Sequence, residues 1–429
     1  MGGFCYTQCT MIKPKITTLK NGLRIVTVPM KDNPTVTVLI MVEVGSRNET
    51  RTTNGLSHFL EHMCFKGTAK RKSLDISYEL EAMGAETNAF TGYDYTGYYA
   101  KGRANLFPKL LDVVADVYQN SIFPEAEIEK ERGVICGEID MYEDMPHRKV
   151  QDLIAISLYG DQPAGYSIAG TKENVRRFTR EDFLKYRNAH YVAGKTSIIV
   201  AGGIDDSVVA EVKKAFKDIR IGKVAAKKKV SAARGDRIIA ESRKTDQSHI
   251  VLGTRSIAAE HPDMPALMVA IGILGQGMSS RLFNKLREEM GAGYYIRSGI
   301  SASDDSGEIT VSTGTEPSRV TEVIAAIVSE IGRMRTEKAT HNELAKQKEY
   351  MIGGMLMGLE TSDAVASHFA QNVVLRLKLK TPKELEKEIR GVTEDDILRV
   401  SKKYLKQDLF RLALVGPETP LVEIEKVLC

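Results

Sequence analysis

Three stretches from the first half of this sequence return, in the same order, in the second half. Glu79–Ala85 recurs as Lys285–Ala292, Ile128–Glu138 as Leu344–Gly354, and the segment from Thr179 to Gly202 as that from Thr393 to Gly416. A degenerate repeat of this kind means that one supersecondary unit is built twice, each copy burying its apolar faces in the same layers. The third pair opens both times on Thr-x-x-Asp, Thr179 to Asp182 and Thr393 to Asp396, the pattern of a capped helix start. At 429 residues the chain exceeds one ordinary domain, as a duplication requires.

Within the first copy the local signals alternate between strand and helix. Lys20-Asn21-Gly22 is a turn signal between Thr17–Leu19 and Leu23–Val28, which predicts a hairpin, and Thr35–Val44 reads as a further strand. Leu74–Met83 predicts a helix closed by Gly84, followed by a hairpin-like polar and aromatic stretch from Ala85 to Ala100. Leu106–Gln119 is an amphipathic helix, and Thr196–Gly202 a buried strand. Lys223–Gly235 has no core-forming periodicity and is expected to be an exposed basic connector, not a nucleic-acid site. These readings divide the chain into an extension at 1–11, a first domain at 12–222, a linker at 223–237 and a second domain at 238–429.

The chemistry sits in the first copy, in Asn54–Thr68. On a helix, His58 and His62 are one turn apart on the same face, and two imidazoles so placed can take two corners of a tetrahedral zinc site. Glu61 shares that face and is not needed as a ligand, so it is a candidate general base. The order His-x-x-Glu-His is the inverse of the commoner metalloprotease motif. A third ligand would come from another element, and Phe123–Glu138 supplies candidates. It is helix-friendly after Pro124 and acidic at its start, with Glu131 and Glu138 seven apart on one face. Glu138 falls 76 positions after His62.

His58-Phe59-Leu60-Glu61-His62, then Phe65-Lys66-Gly67-Thr68, Glu131-Arg132 and Glu138 at this spacing resemble the pitrilysin (M16) family of zinc peptidases, in the branch of mitochondrial processing peptidase and its bacterial relatives. The resemblance runs over essentially the whole chain after about residue 12. It implies an α+β fold of two homologous domains, each a mixed or antiparallel sheet packed against helices and together half of a clamshell. It also implies one Zn2+ per chain on His58, His62 and Glu138, with Glu61 as base and Glu131 orienting a ligand or stabilising charge. In such a family the strand carrying Asn88, Ala89 and Phe90 lies at a sheet edge, where a peptide substrate adds as another strand.

The second copy has lost this chemistry: Glu138 aligns with Gly354, and the segment where the histidine motif should recur, Met268–Gly275, holds no ligand. It does carry Arg287 and Tyr294, whose spacing matches a family pair that approaches the active site, one holding substrate backbone and the other donating to an oxyanion. With only two repeats per chain, the opposing half-shell would come from a second subunit, so a homodimer with Arg287 and Tyr294 acting in trans is expected. Two rival readings remain: a non-enzymatic core subunit, though such relatives usually have broken motifs, and a subunit active only with an inactive paralogous partner.

Composition narrows the setting. The chain is 42% hydrophobic and 27% charged with a net charge of +4, which is globular and gives no footprint for nucleic acid. No apolar run approaches a membrane span, and Met1–Thr10 lacks the basic region and apolar core of a secretory signal. Five scattered cysteines, Cys5, Cys9, Cys64, Cys136 and Cys429, argue for free thiols in a reducing compartment, the cytoplasm by default. Cys64 and Cys136 are expected as small buried hydrophobes beside the site and not as ligands.

Overall fold

The computed structural model describes residues 12–223 and 227–428. The expected extension at 1–11, with Cys5 and Cys9, and Cys429 lie outside the described residues. Eleven strands are described: β1 Lys15–Thr18, β2 Arg24–Pro29, β3 Thr35–Val42, β4 Glu86–Thr91, β5 Thr96–Arg103, β6 Thr196–Gly202, β7 Ile238–Ser242, β8 Ser248–Ser256, β9 Tyr295–Ala302, β10 Gly307–Thr315 and β11 Arg411–Gly416. The principal helices are α1 Leu56–Cys64, α2 Ser73–Ala82, α3 Phe107–Asn120, α4 Glu125–Glu143, α5 Pro146–Tyr159, α6 Arg180–His190, α7 Met264–Gly275, α8 Val320–Thr336, α9 His341–Met357, α10 Ser362–Val374 and α11 Glu394–Tyr404. Among the described residues no helix is long and apolar enough to cross a membrane.

The chain forms two compact units, each assembled from three segments. One takes the chain up to Ile139, then Ser167–Lys228 and Met355–Glu384; the other takes Asp140–Tyr166, Lys229–Gly354 and Leu385 onward. In the first unit a six-stranded sheet runs β1-β2-β6-β3-β5-β4. β2 and β6 are parallel and the other pairs antiparallel. The hairpin turn at Asn21-Gly22 forms as its sequence signals, with Gly22 at φ +91°.

The strands at the centre of this sheet, β3 and β6, are largely apolar and buried because both faces are covered. Alternate side chains of β3 go to opposite faces. Val36, Val38, Ile40 and Val42 join the cluster of α1, α3 and α6, whereas Leu39 and Met41 join a second cluster with Phe369, Val365 and Val373 of α10. Each such side chain contributes roughly 1.5–3 kcal/mol on burial.

In the second unit the sheet runs β7-β11-β8-β10-β9, again with one parallel pair, β7 with β11, and antiparallel neighbours elsewhere. Strand for strand this is the first sheet without β1, so the sequence repeat survives as topology. Both Thr-x-x-Asp signals form capping boxes, Thr179 with Asp182 on α6 and Thr393 with Asp396 on α11. The cover of the second sheet comes from α5, whose Val150, Ile154 and Leu158 pack on Val251, Ala413 and Val415. Each unit therefore takes one covering helix from the other half of the sequence.

The described part of the basic connector is mostly exposed but tied down. Lys227 Nζ lies 2.7 Å from Asp94 Oδ1. Further along, the Ser231 and Gly235 amides donate to Gln162 Oε1 and Ser157 O at 2.8 and 3.0 Å.

Candidate metal centre

α1 begins where the chain makes a left-handed step at Gly55, φ +98°. A Cβ there would stand 2.8 Å from Ala169 O, so the entry to the helix accepts only glycine without displacement. No side chain at the N-cap satisfies the first amides. The buried carboxylate of Glu49 does so instead: Gly55 N–H donates to Oε2 at 2.9 Å, Ser57 N–H to Oε1 at 2.7 Å, and Asn54 Nδ2 to Oε2 at 3.1 Å. Phe59, Leu60 and Met63 fix the buried face of α1 in the core, which leaves His58 and His62 on the facing side.

Of the 19 residues of α4, the buried ones are Ile128, Glu131 and Ile135. This i, i+3, i+7 stripe is the face a packed helix presents, and it carries Glu131 inward with Glu138 two turns later. His58 Nε2 and His62 Nε2 each lie 3.6 Å from the same oxygen, Glu138 Oε2. The rings of the two histidines are 4.7 Å apart between centroids and edge-on. The three candidate ligand atoms lie within 4.8 Å of one another. Donors at zinc distances from one centre stand about 3.3–3.6 Å apart in a tetrahedron, so the donor set fits that ion and both histidine–Glu138 separations match its spacing.

The surroundings divide the roles. Burial, followed by the neighbouring His62, pushes His58 down to about 4, which keeps it as the neutral imidazole a ligand must be. Burial alone would lower His62 as well. The hydrogen bond to Glu131 and the carboxylates of Glu61 and Glu138 outweigh it and hold His62 above its ordinary value. His62 Nδ1 and Glu131 Oε1 are 2.9 Å apart, the outer-shell bond that fixes the tautomer and orientation of a metal-binding histidine. Glu131 is 5% exposed. Burial would raise its carboxyl, but His62 and Lys66 hold it below the usual range. Glu61 is raised, by burial first and further by Glu138, with Thr91 pulling the other way; Thr91 Oγ1 donates to Glu61 Oε2 at 2.5 Å.

The structure thus brings His58, Glu61, His62, Glu131 and Glu138 together. Asn88, Ala89 and Phe90 lie on β4, the edge strand, paired on one side only, with β5. Ala89 packs toward the α1 side, whereas the Phe90 ring packs over Gly97 and Met41 on the α10 side of the sheet. Only the main chain of Phe90 is therefore offered at that edge. Arg287 and Tyr294 belong to the second unit, where Arg287 Nη1 donates to Gly293 O at 3.2 Å and Tyr294 is half-exposed. Cys64 is buried and Cys136 partly so, both free. Burial pushes the Cys64 thiol up to about 11, which suits a wall residue and not a ligand.

Three contributors escape a reading of the sequence: Glu49, Lys66 and Thr91. Lys66 stands inside Phe65-Lys66-Gly67-Thr68, one of the stretches that carry the resemblance, and Thr91 directly follows Asn88-Ala89-Phe90; those positions were the available signal. In the second unit the position aligned with Glu131 is Gln347, whose side chain occupies the space that a Cβ on Gly272 of α7 would need.

The profile of the insulinase family (peptidase family M16) matches residues 24–172, and that of the peptidase M16 inactive domain matches residues 177–351. The uncharacterized zinc protease YmxG of Bacillus subtilis is 34% identical over 407 residues, covering 93% of this chain and 97% of that protein. An uncharacterized zinc protease of Rickettsia felis is 33% identical, covering 94% and 97%. Among solved structures, a protease from Helicobacter pylori superposes with a TM-score of 0.89 at 24% identity over 95% of this chain and 100% of that one. A putative M16-like peptidase from Alicyclobacillus acidocaldarius gives 0.84 at 19% identity over 95% and 99%.

Proposed function

This chain belongs to peptidase family M16, a family of zinc proteases, and from that premise we propose that it is an endopeptidase hydrolysing peptide bonds in unfolded peptides or short proteins. One observation carries the reading. Two imidazole nitrogens of α1 face a single oxygen of Glu138 at 3.6 Å each, with Glu61 on the same helix. His58, His62 and Glu138 are assigned as ligands of one zinc ion per chain. When bound there, zinc supplies Lewis acidity, lowering the pKa of a coordinated water to about 7 and polarising the scissile carbonyl.

The side chains do the rest. Glu61 takes the proton of the attacking water and returns it to the leaving amine. Thr91 holds Glu61 Oε2, which keeps the carboxylate from rotating away and leaves Oε1 for the water. The upward shift of Glu61 by burial brings it closer to the pH at which it must both accept and give a proton. Glu131 fixes His62. An extended substrate adds to the open edge of β4 through the main chain at Asn88, Ala89 and Phe90. Arg287 holds substrate backbone and Tyr294 donates to the developing oxyanion, both from the partner subunit of a homodimer whose two copies enclose a chamber. A paralogous inactive chain in place of the second copy is the alternative arrangement. The free thiols of Cys64 and Cys136 suit a reducing compartment, and the cytoplasm is proposed as the location.

Elemental analysis together with hydrolysis of a quenched, unstructured peptide tests the assignment. The parent is expected to hold about one zinc per chain, and Glu138→Gln to lose both metal and activity. Glu61→Gln should keep its zinc and slow by about 10²–10⁴-fold. A Glu61→Gln enzyme as fast as the parent would remove the base from the mechanism.

A further inference from the structure

We propose that Lys66 is a positioning residue for the metal centre, its ammonium holding Glu131 in the one orientation in which that carboxylate fixes His62. The proposal rests on the zinc-peptidase reading above and adds to it a residue beyond the ligands and their bonded carboxylate.

The geometry is a chain of three groups. His62 Nδ1 meets Glu131 Oε1 at 2.9 Å, and Lys66 Nζ meets Glu131 Oε2 at 2.6 Å. Both oxygens of a side chain that is 6% exposed are thus committed, one to the ligand and one to the ammonium. A buried carboxylate with one oxygen unpaired is unfavourable, because its desolvation is no longer compensated. Without the ammonium, Glu131 relieves that cost by turning toward solvent, which weakens the acceptor at His62.

The backbone braces the two ends of this chain of contacts against each other. Lys66 follows directly on the end of α1, where Phe65 N–H donates to His62 O and Lys66 N–H to Met63 O. Gly67, at φ +130°, then redirects the chain. Thr68 bridges to Ser121, and Ile122 N–H donates to Gly67 O at 3.1 Å. The strand-like pairing at 121–122 leads through Pro124 straight into α4. Lys66 and Glu131 therefore leave from segments that are bonded together, and the ammonium reaches the carboxylate from a fixed base. In the second unit, which lacks the histidines, the position aligned with Glu131 is the neutral Gln347, so the charge is absent where there is no ligand to orient.

The test is a double-mutant cycle read by zinc affinity, from competition with a chromophoric chelator at fixed pH, and by kcat and KM on a quenched peptide. Lys66→Met is expected to weaken zinc about tenfold, as loss of an outer-shell partner does, and to lower kcat with KM unchanged. Lys66→Arg should restore most of both. In a Glu131→Gln background Lys66→Met should add nothing, since its effect passes through that carboxylate. Circular dichroism checks folding, and Lys66→Gln replaces Lys66→Met if the latter does not fold. Parent-like zinc affinity in Lys66→Met and Lys66→Gln, or an equal loss in the Glu131→Gln background, would overturn the proposal. A parent that binds no zinc would instead overturn the metallopeptidase reading itself.

Discussion

Glu49 precedes Ser57 by eight residues, yet it supplies what the start of α1 lacks: acceptors for the first amides of the helix that carries both histidines. Its position is electrostatically divided. A carboxylate suits a helix N-terminus, but burial dominates and pushes the Glu49 carboxyl up to about 7, with the Ser57, Gly55 and Asn54 donors pulling it back. Because the folded value lies above the unfolded one, the native state binds the extra proton between them. This group's contribution to stability is then complete below about 4.5 and is lost as pH rises through about 7, on the order of 3 kcal/mol in all. Glu49→Gln imitates the neutral form at every pH. The melting temperature of the parent should therefore fall relative to Glu49→Gln as pH is raised from about 5 to 8, and parallel melting curves would show that Glu49 does not titrate in this window. None of this was legible in the sequence. A helix start is ordinarily read from residues at the cap itself, and here the cap is the bare Gly55.

At the level of elements, α1 and α4 were legible because their signals lie within one or two turns: His58, Glu61 and His62 by helical periodicity, Glu131 and Glu138 by their spacing of seven. The hairpin at Asn21-Gly22 and the capping boxes at Thr179 and Thr393 are local in the same sense. The role of α10 was not legible. Its apolar stripe says that one face is covered, not that it covers the sheet formed by β2, β3 and β6, all of which lie in the first half of the sequence. Phe369, 1% exposed, packs there. Phe369→Ala is expected to lose about 3–5 kcal/mol in denaturant unfolding, although the residue lies in the half of the sequence that carries no metal ligand. A loss below about 1 kcal/mol would mean that the sheet face collapses around the cavity, or does not need α10.

For the whole molecule, the proposed division of labour is between copies: zinc and base from one chain, Arg287 and Tyr294 from the other. Glu61→Gln and Arg287→Ala, each strongly impaired alone, should complement when mixed and re-equilibrated. Half of the dimers formed are then hybrids, and each hybrid has one intact site, so about a quarter of parental activity returns. No recovery in a mixture shown by light scattering to have exchanged subunits would mean that the groups act within one chain or not at all.

The sequence by itself determined what short-range geometry can encode: which residues share a helix face, where turns and caps fall, and that one unit is built twice with the ligands in one copy. Helical spacing made Glu131 and Glu138 candidates together, but which of them would bind the metal came only with the resemblance, since 76 residues separate Glu138 from His62 and periodicity does not extend across a loop. The tertiary structure alone decided the partners of the chemical groups, Glu49 for the helix start, Thr91 for Glu61 and Lys66 for Glu131, and the exchange of α5 and α10 between the two halves of the sequence. The reason is physical. Backbone geometry fixes relations over a few residues, whereas contacts between distant segments depend on which apolar faces pack together, and an amphipathic stripe says that a helix face is covered without saying by what.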